Sequence, residues 1–438
     1  MPSTQIFLAS TLYGTATLAA AIDSGLFPPA TRRILLTSNN AATPETSRAL
    51  AEAPGFETLR ARFDEVRHWN ESISPLHPTG WTPRADDVPL WERQLRRDWD
   101  LGDSRISLAL ESIQVAPAQA VAQCFPDAPI DVYADGLMSY GPTRNKLDPL
   151  VGGRVRRLLH LDLVPGLRPL LLSEFGVQPG IVPSEAFRKV LTELADNAPH
   201  PATDAEAPAL LLGQYLSALS ILTPEEEENL HVRMVRGAVA RGHRHVVFKP
   251  HPSAPERWSR LLEREADRLG AQLTVLDAPL LAEVLFQQLR PALVVGCFST
   301  ALLTAHTFFG IPVARVGTDL LLERLTPYEN SNRIPVTLVD ALLPDLEATE
   351  TVTPPPTGEL SALLAAVGFA MQPQVLSAQR TRAEGYLLSH LSPGTRRYFK
   401  RRRLTSLALP GGLPQRLAFV PRNATVRRLA RRVRRIAA

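Results

Sequence analysis

Three short stretches of this chain carry residue types that can do chemistry, and each follows an apolar run of strand character. The first runs from Ile130 to Tyr133 and continues into Ala134, Asp135 and Gly136. A carboxylate at the carboxyl end of such a strand can act as a general base, and a glycine beside it lets a substrate or a second backbone come close. A plain Asp-Gly turn would show the same pair of residues. The second stretch is His245 to Phe248, followed by Lys249, Pro250, His251 and Pro252. In parallel α/β sheets ligands lie beyond the carboxyl ends of the strands, so His251 falls where a substrate would be, with a proline restricting the backbone on either side. An isolated histidine of this kind can also be merely packed or solvated. The third is Ala292 to Gly296, then Cys297, Phe298, Ser299 and Thr300, before an apolar helical pattern over Ala301 to Phe309. Ser299 stands near the N-cap. It can cap its own helix, or the helix start, with two hydroxyls and the positive end of the helix dipole, can receive a phosphate. The second and third strands are expected to end on one edge of one sheet, which would let His251 and Ser299 converge on a single anion.

The elements that must position these residues show a βαβ rhythm. Gln5 to Ala9 reads as a strand, Thr15 to Gly25 as a helix and Arg33 to Thr37 as a strand. A Trp-containing helix around Pro89 to Trp99 and strands at Arg105 to Leu110 and Ile130 to Tyr133 follow. Val177 to Pro208, with five prolines, is the expected interdomain region. The rhythm restarts at Ala209 to Leu212. Thr223, Pro224 and the acids Glu225 to Glu228 read as a capped helix start and not as a metal site. Strands at His245 to Phe248, Gln272 to Leu276 and Ala292 to Gly296, with a helix from about Pro255 to Leu269, give a second parallel sheet. No solenoid repeat is visible.

A chain of 438 residues exceeds what one core usually supports, so two domains and a cleft between them are expected. Cys124 and Cys297 are far apart without zinc-like neighbours, which speaks for a reducing compartment and against a disulfide framework. The first ten residues lack a basic segment ahead of their apolar stretch and no run of 18 apolar residues occurs, which argues against a signal peptide or a membrane span. The net charge of +4 hides an asymmetry: Arg396 to Arg435 holds 14 Lys or Arg and no acid, leaving the rest at 34 bases against 44 acids, a net of −10. A basic tail on an acidic body points to phosphates or an anionic surface. With only Tyr398 and Phe399 as aromatic neighbours of the first basic cluster, nucleic acid is not the expected partner. Within the tail, Val426, Leu429, Val433 and Ile436 form a narrow apolar stripe surrounded by arginines, the pattern of a helix lying on an anionic leaflet. Arg396 to Leu409 could instead pack back on the first domain.

Taken in order, Asp135-Gly136, His251-Pro252 and Ser299-Thr300 resemble the three short motifs of GT-B bacterial sialyltransferases. The contexts YADGLMSYGP, VVFKPHPSAPE, LRPALVVGCFSTALL and NSNRIP resemble the bacterial α-2,8-polysialyltransferase-like family, from near residue 5 to about residue 345. One departure is Ala134, which stands where the first acid of an acidic pair recurs in that group.

The resemblance implies an α/β GT-B fold with two Rossmann-like domains facing across a cleft: residues 1–200 on the acceptor side, 205–390 for the nucleotide sugar, and a basic tail over 391–438. It implies an inverting transfer of sialic acid from CMP-sialic acid to a glycan or glycolipid acceptor, without metal or other cofactor. Asp135 would be the base, with Glu174 and Asp131 the next acids in line. His251 would serve the departing phosphate, Ser299 and Thr300 would bind it, and Lys249 and Pro252 would flank that subsite. Glu283 would hold the cytidine ribose, though a solvated helix face reads the same. A CMP-Kdo or CDP-polyol transferase would share the phosphate subsite, and an inactive relative or an anionic-surface binding protein are the remaining alternatives. The expected place is the cytoplasm, peripheral on the inner face of the membrane.

Overall fold

The computed structural model describes residues 2–203, 206–251, 257–276, 278–348 and 353–413. Two wholly parallel sheets form its frame. The first contains β1 (Ser3–Ala9), β2 (Arg32–Thr37), β3 (Glu65–His68), β4 (Arg105–Leu110), β5 (Ile130–Ala134), β6 (Val155–Leu161) and β7 (Gln178–Val182), in the order β3-β2-β1-β4-β5-β6-β7. The second contains β8 (Ala209–Leu212), β9 (His245–Lys249), β10 (Gln272–Val275), β11 (Leu293–Gly296) and β12 (Val313–Arg315), in the order β10-β9-β8-β11-β12. Both are doubly wound α/β units, and together they make the GT-B architecture. The central strand β8 is continuously apolar and wholly buried, and β1 is so from Ile6 to Ala9, as expected where helices cover both faces.

Helix starts follow their sequence signals. The Pro224–Ala240 helix has a complete capping box, with Thr223 Oγ1 accepting from the Glu226 N–H at 3.2 Å and Glu226 accepting from the Thr223 N–H at 3.0 Å.

The expected interdomain stretch differs from the reading. Val177 to Pro208 contains β7 and the Ser184–Asn197 helix, so the connection shortens to the residues just before β8. Its prolines are compatible with this: β7 is an edge strand, which tolerates Pro179, and Pro183 stands immediately before the helix. Phe187, Val190, Leu191 and Leu194 give that helix a buried stripe, packed on the Leu12–Asp23 helix of the first unit and the Ala282–Leu289 helix of the second.

Cationic side chains hold the C-terminal region together. Arg333 is fully buried in the Arg333–Leu342 helix; its guanidinium lies 4.1 Å from the Tyr328 ring centre and donates to the Tyr328 and Leu325 carbonyls at 2.9 Å. Arg403 donates to the carbonyls of Ala370 and Met371 at the end of the Thr357–Met371 helix, where a cation is favoured. Tyr398 donates to Asp340 at 2.8 Å, and Leu404 and Leu409 are buried. Arg396 to Leu409 therefore packs, on residues of the 318–371 region and not on the first domain. The Thr357–Met371 helix itself reaches across: Gly368 approaches Leu170 and Pro142, and Gln372 donates to the Arg144 carbonyl at 3.0 Å. The stripe Val426 to Ile436 lies outside the described residues. Among the described residues no helix is long and apolar enough to cross a membrane.

Candidate active site

Parallel pairing brings the carboxyl ends of β4 and β5 in the first sheet and of β8, β9 and β11 in the second to one cavity of about 630 Å³. Asp135, immediately after β5, lines it from one side; His251, after β9, and Ser299 and Thr300, after β11, line it from the other. A volume in this range suits a small organic ligand.

On the first-domain side, Asp135 stands beside a second carboxyl, Glu111, which directly follows β4 and is only 8% exposed. Gly14, at the start of the Leu12–Asp23 helix, makes room for both. A Cβ there would lie 3.2 Å from Asp135 Oδ2, 3.2 Å from Glu111 Oε2 and 3.0 Å from Thr11 Oγ1, so a side chain would press on all three. Burial raises the proton affinity of Asp135. Burial first, and then the neighbouring Asp135 charge, push Glu111 up to about 7, against hydrogen bonds from Ser10 and Tyr133. The Tyr133 hydroxyl lies 2.8 Å from the Leu8 carbonyl and 3.1 Å from Glu111 Oε2.

On the second-domain side, the Phe298 N–H donates to Gln214 Oε1 at 2.9 Å, tying the β11 loop to the end of β8. Ser299 is the N-cap of the Thr300–Phe309 helix, and its hydroxyl accepts from the Ala301 N–H at 3.3 Å. The cap and the cavity wall are thus the same residue. His251 is held below the usual imidazole value, mainly by desolvation and then by the Lys249 ammonium, so at neutral pH its ring is an uncharged hydrogen-bonding group.

The two sides touch. Gly136 is extended, and its lack of a side chain serves approach: a Cβ would be 3.1 Å from Thr300 Oγ1. The Leu137 N–H donates to that hydroxyl at 3.4 Å. Tyr13 and Thr304 share a hydrogen bond at 3.2 Å, and Thr307 donates to the Leu163 carbonyl at 2.9 Å. The Thr300–Phe309 helix is therefore the strip on which the first domain rests.

Of the residues read from the sequence, Asp135, His251, Ser299 and Thr300 meet in the cavity, while Lys249 and Glu283 do not line it. They stand behind the wall: Glu283 is 4% exposed and pushed up to about 7 by burial, with Lys249 acting in the opposite direction and Asp135 adding to the rise. Burial lowers the Lys249 ammonium, and Glu283 partly offsets that. Pro252 lies outside the described residues. The other acids named for the base are elsewhere: Asp131 is buried between Arg156 and Arg157 at 2.9 and 3.0 Å, and Glu174 is exposed on a short turn. Two charged lining residues escaped the sequence reading, Glu111 and Arg144. The signal for Glu111 was present, an acid directly after an apolar strand, the same logic that found Asp135. Arg144 donates to Ser331 at 3.2 Å and its position follows only from the tertiary fold.

The family model for alpha-2,8-polysialyltransferase (POLYST) matches residues 5–318, well over half of the chain and all the lining strands. The chain belongs to the alpha-2,8-polysialyltransferase family. Its activity is thus glycosyl transfer of the sialyltransferase type, from a nucleotide sugar to a glycan. No curated protein is similar enough in sequence to count as a match. Among solved structures, this family member is similar to the GT-B domain of a sialyltransferase from Photobacterium damselae, at 12% identity over 77% of this chain and 96% of that one, with a TM-score of 0.40. It is also similar to a Thermobaculum terrenum O-GlcNAc transferase mutant, at 15% identity over 92% and 67%, TM-score 0.37. A third is Phytolacca americana UGT2 complexed with UDP-2-fluoro-glucose and pterostilbene, at 11% identity over 93% and 99%, TM-score 0.42.

Proposed function

We propose that this polysialyltransferase-family protein transfers sialic acid from CMP-sialic acid to a glycan hydroxyl with inversion at the anomeric carbon. The observation that carries the reading is the meeting, in one cavity, of a carboxylate from the first domain with an imidazole and a capped helix start from the second. In this reading the acceptor oxygen attacks the anomeric carbon as its proton passes to Asp135. The bond to the CMP phosphate oxygen breaks, and CMP departs with the electron pair. A raised proton affinity suits Asp135 to that task.

His251, Ser299 and Thr300 are assigned to the phosphate. A neutral imidazole, hydroxyls and the helix dipole, with Arg144 at the rim, are donors of moderate strength, in keeping with a monophosphate leaving group. The transfer is proposed to need no metal. Lys249 and Glu283 are assigned to the nucleotide side, behind the His251 loop. Thr425 to Ala438 is proposed to meet an anionic leaflet, bringing the enzyme to a lipid-linked acceptor. Its deletion would then abolish sedimentation with anionic liposomes at low salt.

The experiment is a thermal-shift panel with CMP, CDP, UDP and GDP on the full chain. Selective stabilisation by CMP is expected, since a ligand stabilises the state it binds. Stabilisation by UDP or GDP with none by CMP would overturn the donor assignment.

A further inference from the structure

A phenol has a single proton to give, and the Tyr133 hydroxyl has two oxygen neighbours. The Leu8 carbonyl, at 2.8 Å, can only accept, so the phenolic proton belongs there. Glu111 Oε2, at 3.1 Å, is offered that same single proton, so Tyr133 cannot serve both acceptors fully, whereas a protonated Glu111 can donate to the phenol oxygen in its turn. Asp135 lies on the other side of the same small space at Gly14. Two adjacent carboxyls of which one holds a proton carry a single negative charge, and the second proton is the one whose loss is costly.

We infer that Glu111 is a charge-setting partner of Asp135: kept as the neutral acid, it leaves the pair with one negative charge while the anionic donor is loaded. The inference rests on the reading of Asp135 as the base for an anionic CMP-sugar. Among the described residues, the groups that face Glu111 are Asp135 and Tyr133 from β5 and Ser10 from the end of β1. His251 and Arg144 lie in the same cavity, and the Asp135 charge also acts on Glu283. Tyr133 stays protonated, its proton affinity raised well above that of a free phenol, and His251 is held below the usual imidazole value by desolvation and then by Lys249.

The test measures kcat and donor KM for CMP-sialic acid from about pH 6 to about pH 9 with the full chain, its Glu111→Gln variant and its Asp135→Asn variant. In the unsubstituted protein donor KM should rise about tenfold as Glu111 loses its proton and a second anion appears near the donor. Glu111→Gln, a permanent neutral isostere, should show a distinctly smaller rise, what remains coming from Glu283, which is also pushed up to about 7 and is assigned to the nucleotide side. Parallel rises in both, or a flat KM in both, overturn the inference. If Asp135→Asn keeps full turnover, the functional reading itself falls, whatever the KM profiles. A second measurement needs no variant: calorimetric binding of a non-transferable CMP-sialic acid analogue, fluorinated at C3, in buffers of differing ionisation heat. Proton uptake on binding is expected above about pH 7, because linkage is reciprocal, and its absence overturns the assignment.

Discussion

The two walls of the cavity are built on different physics. The first-domain wall gathers carboxyls at strand ends, with Gly14 providing the space and burial raising their proton affinities. The second-domain wall gathers uncharged donors: an imidazole kept neutral by desolvation and Lys249, and hydroxyls at a helix start. One wall is suited to taking up a proton, the other to receiving an anion, with the Lys249 ammonium behind it. In the proposed reading the two domains divide the work, one supplying carboxyls that take up a proton and the other donors for a phosphate.

The largest expected effect is on the first wall. Asp135→Asn should lower transfer by about 100-fold or more, the usual scale of a general base, measured as CMP release at saturating donor. Turnover equal to that of the unsubstituted protein would remove Asp135 as the base and with it the functional reading. On the second wall, His251→Ala and Ser299→Ala should each raise donor KM by about tenfold or more, since a hydrogen bond to a charged group contributes about 1.5–3 kcal/mol. The Ser299 variant also loses a helix cap, about 1 kcal/mol, so a parallel melting curve separates the two effects.

Where the walls touch, Gly136→Ala places a methyl 3.1 Å from Thr300 Oγ1. The expected cost is about 1 kcal/mol, the low end of overpacking because a hydroxyl rotamer can yield, seen as a melting temperature lower by a few degrees. An unchanged melting curve would mean that the cleft opens freely at this contact.

A further effect concerns pH. A carboxyl whose folded value is raised from 4.5 to about 7 binds more protons in the native state between those values, so its contribution to stability is full below about 4.5 and is lost as pH rises towards 7 and above. Glu111→Gln removes that dependence. The melting temperature of the variant relative to the parent should therefore climb between about pH 5 and about pH 8, and a constant difference would show that Glu111 does not titrate in the fold.

Much of this arrangement was legible in the chain, for physical reasons. Strands such as Arg105–Leu110 and Ile130–Ala134 are apolar because both faces are covered, and an acid or imidazole just past such a run must stand at the ligand edge. That logic placed Asp135, His251 and Ser299. It was not carried to Glu111, whose partnership with Asp135 exists only because β4 and β5 pair. β6 escaped because Arg156, Arg157 and His160 break its apolar pattern, although Arg156 and Arg157 are there to pair with Asp131. What Arg396 to Leu409 packs on was hidden for a related reason: its cations reach helix-end carbonyls and buried carboxylates of the 318–371 region, so a stretch whose charge points to phosphates or an anionic surface is in large part structural.

The division between the two walls is tested most directly by calorimetric titration of CMP into the unsubstituted protein, Asp135→Asn and His251→Ala side by side. The account predicts that Asp135→Asn binds CMP as tightly as the parent, or more tightly as a negative charge is removed, and that His251→Ala binds it about tenfold or more weakly. Loss of CMP affinity in Asp135→Asn together with full affinity in His251→Ala would contradict it.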